Sequence, residues 1–182
     1  MECRRARNED YPKVVALQNA NLGSVLADAA KADGFLSGSF SEADYAKMDR
    51  SVCVVVSVSG EDLHGFLAVG SAEFNKPFPL PAAMLAMFPS INYKGKTLDQ
   101  YTPCIAGPVC VDKNQRGKGI FQAMYAELFK ILPAHINLIT TLVSTANPRS
   151  LKAHENVGLE RVSEFEFNGR TFVLLVCSVE RT

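Results

Sequence analysis

The stretch Val109-Cys110-Val111-Asp112-Lys113-Asn114-Gln115-Arg116-Gly117-Lys118-Gly119-Ile120 joins an apolar strand to the start of an amphipathic helix. The link is a short, basic loop with two glycines. It ends where a helix N-terminus leaves several backbone N–H groups without partners, which is a device for holding phosphate groups. Arg116 and Lys118 add positive charge, while Gly117 and Gly119 let the backbone approach an anion with no Cβ in between.

Working outward, the chain alternates strand and helix signals. Toward the N-terminus, Tyr101–Val111 reads as a strand broken at Gly107-Pro108. Proline cannot donate to a ladder, so a β-bulge or an unpaired stretch is expected there. Val52–Val58 and Gly65–Phe74 form a hairpin around Ser59-Gly60-Glu61-Asp62. A short strand near Cys3–Ala6 precedes a helix opened by Asn8-Glu9-Asp10, with Pro12 in its first turn. Ser41-Glu42-Ala43-Asp44 opens another helix that ends near Arg50. The small-residue stretch 23–40 suggests a short helix and a loop.

Toward the C-terminus, Ile120, Met124, Leu128 and Ile131 recur at helical spacing until Pro133 stops the helix. Leu138–Val143 reads as a strand. Asn147 as N-cap and Pro148 open a helix that ends at Gly158. Val162–Phe167 and Phe172–Val179 are joined by Asn168-Gly169, a hairpin signal. These elements predict one α/β domain over residues 1–182, with no internal repeat. Residues 75–100 break the rhythm. Three prolines bracket a helical turn at Ala82–Phe88, and the stretch is either a binding loop or a surface excursion packed on its own Phe and Met residues.

Composition narrows the function classes. Lys plus Arg and Asp plus Glu number 19 each, so the whole-chain field attracts neither nucleic acid nor an acidic membrane, and any anion site must be local. The five cysteines show no C-x-x-C spacing, which predicts a reducing compartment, no disulfide framework and no metal site. No signal peptide is visible, and no apolar run approaches the ~20 residues needed to cross a bilayer. A soluble, cytoplasmic protein is expected.

The loop departs from two phosphate-binding patterns. Asp112 stands where a P-loop has its first glycine, and Gln122 replaces the third glycine of a dinucleotide fingerprint. It fits V-x-x-x-x-[R/Q]-x-x-G-x-[G/A] instead, with Val111, Arg116 and Gly119 in register. There the chain resembles the GNAT superfamily of acetyl-CoA-dependent N-acetyltransferases. One strand later, Asn147-Pro148-Arg149-Ser150-Leu151-Lys152-Ala153-His154-Glu155-Asn156-Val157-Gly158-Leu159 resembles that family's second segment. Two departures stand out: Phe121 replaces a small residue, and His154 replaces the usual tyrosine.

The resemblance implies a GNAT-like mixed, mostly antiparallel sheet flanked by helices, with acetyl-CoA as co-substrate, an amine as acceptor and no metal. It places the coenzyme pyrophosphate on the amides of Arg116, Gly117, Lys118, Gly119, Ile120 and Phe121. It pairs the pantetheine arm with Val109–Val111, and sets Asn147 and His154 beside the cofactor. The amide of Cys110, or one near it, would face the thioester oxygen as it gains charge. The Cys110 thiol itself fits a strand filler. His154 reads two ways, as the acid that protonates the leaving thiolate or as a core histidine on the helix's apolar stripe. No carboxylate marks a general base, although Glu73, Asp99 and Tyr101 lie near strand ends. A catalytically lapsed coenzyme-binding relative is the competing reading. Oligomeric state is left open, a homodimer being one option.

Overall fold

The computed structural model describes residues 1–24, 26 and 35–179. The short helix expected within 23–40 falls largely on residues 25 and 27–34, outside the described residues. The described strands form a seven-stranded sheet in the order β1-β2-β3-β6-β7-β9-β8, beside a separate two-stranded ribbon, β4-β5. In chain order the strands are β1 (Glu2–Arg5), β2 (Cys53–Ser59), β3 (Asp62–Ser71), β4 (Asn92–Tyr93), β5 (Lys96–Thr97), β6 (Pro103–Val111), β7 (Leu138–Ser144), β8 (Glu160–Phe167) and β9 (Arg170–Ser178). The helices are α1 (Tyr11–Asn19), α2 (Glu42–Ser51), α3 (Ala72–Asn75), α4 (Pro79–Met87), α5 (Ile120–Ile131) and α6 (Pro148–Glu155).

Every pairing in the large sheet is antiparallel except β6 with β7. That parallel pair is short: only Pro103, Cys104 and Ile105 face Leu138, Ile139 and Thr140. Beyond Ile105 the two strands part, and their facing edges open a wedge in the middle of the sheet. The bulge sits at the point of parting. Val69 faces Ala106 while Leu67 faces Val109, so β6 carries one residue more than β3 around Gly107-Pro108. The extra residue reverses the alternation of side chains. Cys104 and Ala106 pack on the α5 face before the bulge, and Val109 and Val111 do so after it.

Alternation on the other strands builds the two faces. Cys53 and Val55, Leu67 and Val69, and Val173 and Leu175 point to one face, where α5 lays Ile120, Met124, Tyr125 and Leu128 and α6 lays Leu151. On the opposite face, α1 and α2 cover Val54, Val56 and Phe66 with Val14, Tyr45 and Met48. Residues 75–100 cover the rest of that face. Met84, Phe88, Ile91, Tyr93 and Leu98 pack on Ile105, Leu138, Leu174 and Val176. The excursion is thus a third piece of core, and its proline-rich start at Phe78–Pro81 lines a cavity.

Local chemistry sets the boundaries. Ser41 caps α2 by accepting from the Asp44 amide, and Asp44 reaches back to the Ser41 amide. The strand expected to run to Phe74 stops at Ser71, whose hydroxyl accepts from the Phe74 amide and starts α3. Asn168 and Gly169 both have positive φ, the geometry of the tight hairpin between β8 and β9.

A buried amide ties the covering layers together. Gln18 is 1% exposed; its oxygen accepts from the Phe40 amide at 2.8 Å and from the Tyr45 hydroxyl at 2.6 Å. Its nitrogen donates to the Phe40 carbonyl at 3.0 Å. Gln18→Ala strands these groups and is expected to lower the unfolding free energy by about 2–3 kcal/mol. Urea titration at unchanged m-value checks this, and a loss below about 0.5 kcal/mol would show that water replaces the amide.

Candidate active site

Two adjoining cavities open at the wedge. The first, about 560 Å³, lies against the glycine loop and the first turn of α5, and is bounded across the cleft by α6. The second, about 340 Å³, lies beyond the bulge between β6, β7 and the start of α4. Phe35, Leu36, Val109, Asn147 and Ser150 line both.

The glycine loop is shaped by its own side chains. Asp112 accepts from the Asn114 amide at 2.7 Å, and its carbonyl accepts from the Gln115 amide, which turns the chain off β6. Gly117 and Gly119 have φ of 79° and 77°, a conformation that carries a penalty of about 1–2 kcal/mol in other residues. A Cβ built at either would meet nothing within 4 Å, so the loop faces open space. Gly119 caps α5, and the first bond within the helix runs from the Ala123 amide to the Gly119 carbonyl. The amides ahead of it are left for an outside acceptor at the positive end of the helix.

The basic side chains of this loop have other tasks. Arg116 donates through Nε to the Val111 carbonyl at 3.2 Å and through a terminal nitrogen to Asn21 at 3.1 Å. Its guanidinium thereby staples the end of α1 to the end of β6. Lys118 bonds to Gln115 at 2.8 Å and lines neither cavity. The cleft gains further positive charge from Arg149 and Lys152 on α6, which the sequence reading passed over. Only folding sets α6 across from the loop. Their spacing to Asn147 was the available signal.

Ladder geometry decides which amides face the wedge. The Asp112 amide donates to the His64 carbonyl at 2.8 Å, and the register continues to Phe66 opposite Cys110. Bonded pairs alternate along an antiparallel ladder, so Cys110 turns its amide and carbonyl toward β3. Val109 and Val111 turn theirs toward the opening, in agreement with the Arg116 bond to the Val111 carbonyl. Of the amides the sequence offers for the thioester, that of Cys110 therefore faces β3, and those of its neighbours Val109 and Val111 face the opening. The Cys110 side chain lies on the far face with Tyr45 and Phe66, where burial pushes its thiol up to about 12.

Asn147 serves the framework. Its oxygen caps α6 by accepting from the Ser150 amide at 3.1 Å, and its nitrogen holds the Phe35 carbonyl at 3.1 Å. Phe121 packs beneath the helix start, 5.1 Å from the Tyr125 ring and edge-on to His154 at 5.0 Å. Ile120 is buried in the core. None of Glu73, Asp99 and Tyr101 lines either cavity. Glu73 pairs with Lys76 at the surface, and Tyr101 donates to the Tyr93 carbonyl.

His154 lines the second cavity and is 1% exposed. Its Nδ1 lies 2.8 Å from the Ser150 carbonyl, which can only accept, so Nδ1 carries the hydrogen. Burial drives its pKa down to about 4, against the smaller opposing pull of the Ser150 bond. A neutral ring protonated at Nδ1 presents a lone pair at Nε2, and that atom is buried with no partner among the described residues. Of the two readings of His154, its burial and lowered pKa fit the core histidine, here with an acceptor at Nε2.

Taken with the bulged sheet and the parted strands, this architecture defines the chain as having the fold of the GNAT acetyltransferases. It is similar to an acetyltransferase of the GNAT family from Bacillus cereus, with a TM-score of 0.61, 12% identity, and 99% and 98% of the two chains covered. It is similar to the yncA protein of Salmonella typhimurium, solved with its cofactor acetyl-CoA, at a TM-score of 0.64, 14% identity, and 100% and 95% coverage. A third likeness is to the ribosomal-protein-alanine N-acetyltransferase of Brucella melitensis, at 0.63, 15%, and 98% and 99%. No protein-family model matches the sequence, and no curated protein matches it. The fold is shared over the whole chain while the sequences have diverged almost completely.

His154 also gives the fold a pH signature. The unfolded chain takes up its proton near pH 6.5 and the folded chain only near 4, so this contribution is complete at pH 7 and is lost as pH falls between those values. The loss is on the order of 3 kcal/mol. Denaturant titrations from pH 7 to 4 should show a shallower decline in His154→Phe than in the parent. Parallel declines would place the proton elsewhere.

Proposed function

We propose that the chain transfers an acetyl group from acetyl-CoA to an amine acceptor. The observation that carries this reading is the wedge between β6 and β7, which opens directly beside the glycine loop at the N-terminus of α5. The fold shared with acetyltransferases, one of them solved with acetyl-CoA, supports it.

In this reading the pyrophosphate rests on the amides from Arg116 to Phe121, where the helix end favours an anion. Arg149 and Lys152 raise the positive potential of the same cleft. The pantetheine arm runs into the wedge along β6, pairing with the edge that β7 leaves open. The Val111 carbonyl is already engaged by Arg116, so the pairing uses Val109 and the Val111 amide. The thioester oxygen then lies against one of these two amides, which stabilises the charge that develops on it.

The amine nitrogen attacks the thioester carbon directly, forming the C–N bond. The C–S bond breaks, the thiolate leaves, and the nitrogen loses a proton. A covalent acyl-enzyme has no support, because the Cys110 thiol is buried on the other face with its pKa raised. Among the described residues no carboxylate lines either cavity, so no described carboxylate is placed to take the proton, and water leading to bulk would serve.

The loop assignment is tested at Gly119. Gly119→Asp sets a carboxylate where the pyrophosphate belongs and strains a positive φ, and is expected to abolish acetyl-CoA binding in calorimetry. Gly119→Ala keeps the charge unchanged and is expected to weaken binding about tenfold while lowering stability by about 1 kcal/mol. Undiminished binding by Gly119→Asp would remove the loop from the cofactor site. Acetyl-CoA binding without thiol release across a broad amine panel would favour the lapsed relative.

A further inference from the structure

The second cavity carries information on the acceptor. Its walls are largely apolar, with Phe40 from the segment before α2, Phe78 and Leu80 at the start of α4, Ile105 and Pro108 on β6, and Leu142 on β7, and the hydroxyl residues Ser37, Ser39 and Thr141 stand among them. None of its described lining residues is Asp, Glu, Lys or Arg. The charged groups on the neighbouring cavity, Arg116, Arg149 and Lys152, are all cations.

Several polar groups of the second cavity are already committed. Asn75 donates to the Ser71 carbonyl at 2.9 Å, and Asn147 is engaged at both ends. Of the buried polar side-chain atoms on this cavity, Nε2 of His154 is an acceptor with no partner among the described residues. An unmet acceptor in such a wall is a cost that a ligand N–H would relieve.

This surface discriminates between kinds of amine. An alkylamine titrates near the lysine value of about 10.4, so at pH 7 fewer than roughly one molecule in a thousand is neutral. Bringing the ammonium form into a cavity whose described lining carries no counter-charge is strongly unfavourable, and the nearby cations add to it. An amine attached directly to an aromatic ring is unprotonated at pH 7, because its lone pair is delocalised into the ring. It enters in the form that attacks, its ring matches the Phe40, Phe78 and Leu142 walls, and its N–H can donate to Nε2. Resting on the acetyl-transfer reading above, we infer that the acceptor is a neutral, weakly basic aromatic amine, seated in the second cavity with its nitrogen at His154.

The test compares p-anisidine with 4-methoxybenzylamine, which differ by one methylene and by charge at pH 7. Thiol release from acetyl-CoA is followed at pH 7.0. The anisidine is expected to show at least a tenfold higher kcat/KM; an equal or higher value for the benzylamine overturns the inference. Leu80→Asp, which brings a carboxylate to the cavity wall, is expected to narrow the preference several-fold, and an unchanged ratio would count against the electrostatic argument. His154→Phe should lower kcat/KM for the anisidine at least tenfold while acetyl-CoA affinity stays within twofold. His154→Gln, which keeps an acceptor, should recover part of the loss. Equal rates in all three would remove His154 from acceptor binding. Calorimetry with acetyl-CoA separates the two levels: no binding overturns acetyl transfer itself, whereas binding with neither amine acetylated overturns this inference alone.

Discussion

Backbone groups in a sheet need partners, and after Ile105 the described strands pair with β6 on one side only. The site depends on that constraint. Three paired residues hold β6 to β7, the bulge turns β6 away, and the strands part around the amides of Val109 and Val111. An extended chain with its own amides completes the ladder there, as an added strand would. The helix that follows β6 sets its N-terminus at the mouth of the same opening. In the proposed function, one interruption of pairing would therefore serve as a track for an extended arm and a seat for its anionic end.

The bulge does a second thing. By adding one residue it reverses the faces of β6, so that Val109 and Val111 pack toward α5 and Cys110 toward α2. The same reversal chooses which amides point across the sheet. A strand without the extra residue would present another set, and the thiol of Cys110 would face α5 and α6. The chemistry at the wedge thus depends on a count of residues as much as on their identity.

Much of this was legible in the sequence because it is written in local signals. The β-branched run at Val52–Val58, the Asn168-Gly169 turn, the Asn147 cap and the Gly107-Pro108 break each act over a few residues, and each appears in place. The glycine loop was legible for the same reason: positive φ at Gly117 and Gly119 needs residues without a Cβ. What was not legible depends on distant partners. The bond from the Arg116 guanidinium to Asn21 was not legible, because nothing local shows Asn21 beside it. The wall of Phe40 and Phe78 comes from segments that meet only in the fold. His154 was found by position, but its neutral state follows from the Ser150 carbonyl and the depth of burial. Which amide near Cys110 faces the opening was not legible, because facing depends on register with β3, which no single strand reveals.

Phe35 and Leu36 line both cavities, and the Asn147 side chain holds the Phe35 carbonyl while capping α6. A partition shared in this way couples what happens on its two sides. A molecule that fixes the partition from the first cavity has already met part of the ordering cost for a molecule entering the second. By reciprocity the second raises the affinity of the first by the same factor. Under the proposed acetyl transfer, cooperativity between the two substrates would run through this one hydrogen-bonded segment, with no movement of the sheet required.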